Sequence, residues 1–217
     1  MNILVNGILL GLGYCLIALG MALILGVAKV FDLVYASYYT VAAYVAALLI
    51  LPLGHTIPIW IILLVSMAAG VALAVSTHSF LILPIRKQPS AVLVSTIAIA
   101  MVIQELLIFK EGSEPIHMPS LIKGATNVFG VWVTKQKLLV AVVTIGILVL
   151  LWLFFSRTRL GLAIRATAEQ PEALQLAGGN IKMVRLSAAV LAGIVASISG
   201  LILSPLYPPH PYMWLDL

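Results

Sequence analysis

Nothing from Met1 to Ala28 carries a charge, and the first charged side chain in the chain is Lys29. An apolar run of that length exceeds the roughly 20 residues that a helix needs to cross a bilayer. A soluble helix would interrupt it with a charged face. A secretory signal would place positive charge ahead of a short apolar segment and a small-residue cleavage site. Nothing basic precedes Ile3, so the run reads as a retained first span. The single cysteine, Cys15, lies inside it, which rules out an intramolecular disulfide and leaves a small packing residue.

The rest of the chain follows the same pattern. Hydrophobic residues make up 63% of the 217 and charged residues 9%, too few charges to coat a water-soluble globule of this size. Apolar runs set against charged or Pro/Gly breaks predict six spans: Ile8 to Ala28, Val34 to Leu51, Pro58 to Leu83, Ala91 to Phe109, Leu138 to Phe155 and Leu186 to Tyr207. The fold class expected is an all-α polytopic membrane helix bundle, a single domain over 1–217.

The net charge of +5 does not point to nucleic acid, because the basic residues fall in short segments between spans. If all six spans cross, Lys29, Arg86, Lys87, Arg157, Arg159, Arg165, Lys182 and Arg185 share one side. The positive-inside rule makes that side cytoplasmic and puts the N-terminus outside. The other side receives the uncharged Pro52 to Ile57 turn and the longer Lys110 to Lys137 segment, where Glu111 and Glu114 offset the lysines. Gly7 and Gly11 form a GxxxG pair, followed by Gly13, Gly20 and Gly26. Such glycines let another helix approach closely in lipid, so the first span is expected to pack inside the bundle.

The longest segment on the basic side, 156–186, has the punctuation of a short ordered helix. Pro171 suits the first turn, Glu169 and Glu172 lie at the positive end, and Gly178-Gly179 supplies a left-handed stop. These signals predict two turns from Pro171 to Ala177. Ala173, Leu174 and Ala177 then share a face by i, i+3 and i+4 spacing. That apolar ridge needs cover, either from a partner protein or by folding back on the bundle.

The run Glu172-Ala173-Leu174-Gln175-Leu176-Ala177-Gly178 resembles the EAA-x-x-x-G coupling loop by which ABC importer permeases dock on their ATPase subunits. With Thr158-Arg159-Leu160-Gly161-Leu162-Ala163-Ile164-Arg165-Ala166 upstream, the chain resembles the branched-chain amino acid permease family. The likeness extends through Asn6-Gly7, Ala18-Leu19-Gly20, Ile24-Leu25-Gly26-Val27, Ala43-Tyr44, Ser95-Thr96-Ile97 and Gln104-Glu105, covering nearly the whole chain.

The resemblance implies a translocation subunit in the inner membrane of a bacterium or archaeon. Its implied partners are ABC ATPase subunits, a second permease subunit or homologous copy, and an extracytoplasmic solute-binding protein, all beside membrane lipid. Arg165, Glu169, Glu172, Ala173, Leu174 and Gly178 would couple to the ATPase. No Walker loop G-x-x-x-x-G-K-[ST] occurs in the sequence, so ATP and magnesium are expected on the partner and no cofactor in this chain. Branched-chain amino acids are the implied solutes, with urea or short amides as the alternative.

Two departures bear on function. Family members commonly carry an Asn-Phe-Ala-His-Gly-Glu-like run after the first span, where this chain has Asp32-Leu33-Val34-Tyr35-Ala36-Ser37. They also continue beyond Pro211-Tyr212-Met213 with a glycine-rich segment and further spans, whereas this sequence stops at Leu217. A truncated product, a fragment, or a subunit completed by another chain are the expectations that follow.

Among polar residues within spans, Gln104 and Glu105 are candidates for the solute path, because a carboxylate in lipid needs a partner or water. The rival reading has Glu105 reaching headgroups just before Lys110. Tyr35 and Ser37 are further path candidates, although Tyr35, Ser37, Tyr38 and Tyr39 also fit an interfacial belt. His55, His78, His117 and His210 are scattered without metal-ligand spacing. Ser197 and Ser199-Gly200 read as packing residues rather than as a nucleophile. An ATP-independent channel or secondary carrier, and a non-transporting assembly subunit, remain as competing functions.

Overall fold

A computed structural model describes residues 2–53, 58–119, 124–128 and 131–215. His55 and most of the Pro52 to Ile57 turn lie outside the described residues.

Because apolar side chains cannot satisfy backbone polar groups in lipid, each long apolar run closes its hydrogen bonds within a helix. The helices are α1 (Asn2–Ala28), α2 (Tyr35–Leu53), α3 (Ile59–Ser76), α4 (Leu83–Ile85), α5 (Pro89–Glu111), α6 (Lys135–Arg157), α7 (Arg159–Glu169), α8 (Pro171–Leu176) and α9 (Ile181–Leu203). A π-helical segment, Thr77–Ile82, joins α3 to α4, so that Ile59–Ile85 forms one span. Among the described residues, five spans are long and apolar enough to cross a membrane, and α2 supplies a shorter apolar helix. A two-stranded antiparallel hairpin, β1 (Ala125–Val128) with β2 (Val131–Thr134), precedes α6. No strand is expected from the sequence reading, although Val131-Trp132-Val133-Thr134 has β-branched and aromatic strand chemistry.

The π segment has a local cause. Pro84 has no N–H to donate and its ring crowds the carbonyl four residues back, while Leu83 N–H reaches the His78 carbonyl five residues away. The widened turn absorbs the break without ending the span.

The centre of the bundle is α9, the most buried span. It packs against α1, α2 and α3, and it does so with Ala188, Ala189, Ala192, Gly193, Ala196, Ser197 and Gly200. A Cβ on Gly193 would lie 2.8 Å from Ala74 Cβ, and one on Gly200 would lie 2.5 Å from the Tyr39 carbonyl oxygen. Such approaches are the source of packing energy where lipid supplies no hydrophobic drive. The hydroxyls of Ser197 and Ser199 donate to the Gly193 and Val195 carbonyls, both at 2.7 Å, so these serines serve packing as the sequence suggests.

In α1 the sequence reading needs correction. Gly7, Gly11 and Gly26 face open space, whereas Gly13 meets Leu203 and Gly20 meets the Tyr35 ring. The first span does pack in the bundle, but on a different stripe from the GxxxG pair.

The inter-helix ends sort the charges. Arg185 Nε donates to the Val27 carbonyl at the end of α1 at 3.4 Å, a cation on a helix C-terminus. Lys29 leaves α1 with φ of 58°. Arg86 and Lys182 line one cleft beside Gly178 and Asn180. At the opposite end Lys137 Nζ donates to Asn6 Oδ1 at 2.8 Å, and Ile116 N–H donates to the Pro209 carbonyl at 2.9 Å.

Candidate functional site: a projecting short helix and a cavity above Asp32

Two regions carry chemistry that a packed bundle does not need. The first is the pair α7 and α8 at the basic end. Thr158 caps α7 by accepting the Gly161 N–H at 2.9 Å. Gly161, Ile164 and Thr167 are buried, while Leu160, Leu162, Arg165 and Glu169 are exposed. The sequence signals predict the helix after Pro171 but not α7, whose amphipathic pattern is plain once Gly161, Ile164 and Thr167 are aligned at three-residue intervals.

Pro171 opens α8, and Ala177, Gly178 and Gly179 close it as a Schellman motif. Gly179 N–H donates to the Leu174 carbonyl and Gly178 N–H to that of Gln175, both at 2.9 Å. Gly178 has φ of 81°, which a side chain resists. The expected ridge of Ala173, Leu174 and Ala177 is divided. Leu174 folds back onto the cluster of Val27, Ile164 and Val184, whereas Glu172, Ala173 and Ala177 are exposed. Leu176 projects furthest, with 91% of its surface free.

The second region lies where α1 turns into α2. Asp32 is 1% exposed. Its Oδ1 accepts the Val34 N–H at 3.1 Å and its Oδ2 the Tyr38 hydroxyl at 2.8 Å. Tyr38 also shares a short hydrogen bond with Thr77 at the start of the π segment, tying α2 to α3. Burial pushes the Asp32 carboxyl up to about 6, with the hydrogen bonds from Tyr38, Val34 and Tyr35 opposing that rise.

Asp32 lines a cavity of about 460 Å³ with Tyr14, Ile17, Met21, Leu25, Tyr35 and Trp214 among its walls. The Tyr35 hydroxyl is buried with no hydrogen-bond partner, seated against Gly20. Ser37 Oγ is likewise buried and unpaired, away from the cavity lining. The interfacial-belt reading of these aromatics is overturned: Tyr35, Tyr38 and Tyr39 are each nearly fully buried within the main core cluster. Hydroxyls facing helices rather than headgroups account for this.

Gln104 stands one hydrogen bond behind the cavity wall, its Oε1 accepting the Trp214 indole N–H at 2.7 Å. Its amide donates to Glu105 Oε1 at 3.2 Å, but Glu105 itself is exposed on the far flank of α5 with Met101, Val102 and Leu106. The structure therefore brings Tyr35 and Gln104 near one cavity and leaves Glu105 and Ser37 outside it. Asp32 is not among the path candidates that the sequence offers. Its signal was a lone carboxylate between spans, followed by hydroxyls at Tyr35 and Tyr38. Among the described residues, no three His, Cys, Asp or Glu side chains gather as a metal site.

These features define a multi-pass helical membrane protein with a projecting interfacial helix. The chain belongs to the branched-chain amino acid transport system / permease component family, whose model matches residues 3–209. It is 26% identical to the high-affinity branched-chain amino acid transport system permease protein LivH of Salmonella typhimurium over 225 residues, covering 96% of this chain and 72% of that protein. It is also 26% identical to the corresponding permease protein BraD of Pseudomonas aeruginosa over 216 residues, covering 94% and 70%. No solved structure matches the chain.

Proposed function

We propose that this chain is the membrane-spanning permease subunit of an ATP-driven importer in a prokaryotic inner membrane, with its N-terminus outside. The observation that carries the reading is α8. A helix of six residues, far too short to be stable alone, is fixed at both ends by Pro171 and the Gly178 motif. Leu176 and Glu172 remain uncovered on it. That is the form of a rigid knob presented to a partner, here an ATPase subunit holding ATP and magnesium.

Arg165 and Glu169 on the exposed face of α7 would flank the contact. Leu174, anchored against Val27 of α1 and Val184 of α9, would transmit displacement of α8 into two spans. A second permease subunit and an extracytoplasmic binding protein complete the system, and a branched-chain amino acid or a similar small amphiphile is the solute. Urea or short amides fit the largely apolar cavity less well.

The test is leucine uptake into proteoliposomes containing this chain with its ATPase, second permease and binding protein. Uptake is expected only with hydrolysable ATP inside the compartment that α8 faces. Uptake of equal rate without the ATPase would sustain the channel or secondary-carrier reading instead.

A further inference from the structure

Helices α6 and α9 both pack on α1. They meet at one end, where the Gln136 amide donates to the Ile202 carbonyl at 3.3 Å, and between them towards the basic end lies a groove of about 490 Å³. Its walls are Ile147, Leu150 and Leu151 of α6 and Leu191, Ile194 and Ile198 of α9, and Arg157, the last residue of α6, stands at its end. The helix rises about 15 Å from Ile147 to Arg157, which matches half of a hydrocarbon core about 30 Å thick. No acidic side chain lines the groove. Arg157 is exposed, and among the described residues its guanidinium has no hydrogen-bond or ion-pair partner. An apolar slot as long as one leaflet is deep, ending on a cation at headgroup level, complements one kind of molecule in both charge and length.

We infer that this groove holds one anionic diacyl phospholipid from the leaflet at the basic end, with an acyl chain between α6 and α9 and its phosphate on Arg157. Basic pockets between spans suit such headgroups, because each cation close to an anionic lipid is attracted to it. Arg159, exposed at the start of α7, adds a second cation at that level. Phe154 and Leu191 line the groove and also pack on the cluster under Leu174, so the bound chain abuts the base on which α8 is anchored. The inference requires a membrane-spanning bundle and is independent of the ATPase reading.

The test is native mass spectrometry of the purified full-length chain in detergent micelles doped with dioleoylphosphatidylglycerol or, at matched concentration, with zwitterionic dioleoylphosphatidylcholine. One phosphatidylglycerol is expected to stay bound, with an affinity at least about fivefold above that of phosphatidylcholine, the factor that one cation near an anionic lipid supplies. Arg157→Gln should abolish that preference, whereas Lys110→Gln, exposed at the other end of α5 from the basic side, should keep it. Ile194→Trp should fill the groove and abolish retention of either lipid, with its helical circular dichroism unchanged. Arg157 is exposed, so its variant carries the test if the Ile194 variant does not fold. No retained lipid, equal retention of both lipids, a preference that survives Arg157→Gln or is lost equally in Lys110→Gln, or full retention by a folded Ile194 variant would overturn the inference. So would loss of the bound lipid when the second permease subunit is added, which would give the groove to a protein neighbour.

Discussion

The Tyr38 hydroxyl donates to Asp32 Oδ2 at 2.8 Å while also meeting Thr77, so one side chain joins the α1–α2 turn to the π-helical end of the third span. The carboxylate is thereby held in place at an electrostatic expense. Its folded-state value of about 6 lies above the ordinary 3.8 because burial disfavours the ion. The stabilising contribution of the protonated form is complete below pH 3.8 and is lost as pH rises through about 6. At neutral pH the ionised group destabilises the fold by about 3 kcal/mol.

Asp32→Asn should therefore raise the thermal midpoint of the purified chain at pH 8 by roughly 6–12 °C. The gain should shrink towards zero at pH 4. A scanning fluorimetry series across this range checks it, and a gain that grows on acidification would contradict the sign.

Glycine substitutions in α1 and α9 should have opposite effects. Gly200→Ala places a methyl against the Tyr39 carbonyl and should destabilise by about 1–3 kcal/mol. Gly11→Ala meets nothing within 4 Å and should stabilise by up to about 1 kcal/mol through helix propensity. Unfolding in mixed micelles measures both.

Gly178→Ala forces a side chain into a backbone conformation of φ 81°. It should loosen the α8 cap by about 1 kcal/mol while leaving the spans intact. Hydrogen exchange of the amides at positions 178 and 179 should quicken, with those of α9 unchanged.

How far the sequence discloses this arrangement depends on the range of the interaction. The spans are legible because each is a local apolar run. The start and stop of α8 are legible because Pro171 and Gly178 act on their own backbone. The burial of Tyr35, Tyr38 and Tyr39 is not, since a tyrosine near a span end fits a headgroup belt and a core equally well until its helix face is known. The packing stripe of α1 is likewise hidden: Gly7, Gly11, Gly13 and Gly20 are chemically identical, and only the positions of Leu203 and Tyr35 select the last two. The Asp32–Tyr38–Thr77 link joins residues 39 positions apart through Tyr38 and Thr77, and it depends on a π turn set by Pro84. Family resemblance implies only an expectation for α8 as an ATPase contact, and the exposure of Leu176 and the half-burial of Leu174 are set by packing.

Photo-crosslinking from position 176 tests the docking of the projecting α8 most directly. A benzophenone-bearing residue in place of Leu176, in the assembled membrane complex, should crosslink to the ATPase subunit, and the same probe at Trp60, exposed on α3, should not. Crosslinking from 176 only to lipid or to this chain's own spans, in a complex that retains ATP-driven uptake, would contradict it.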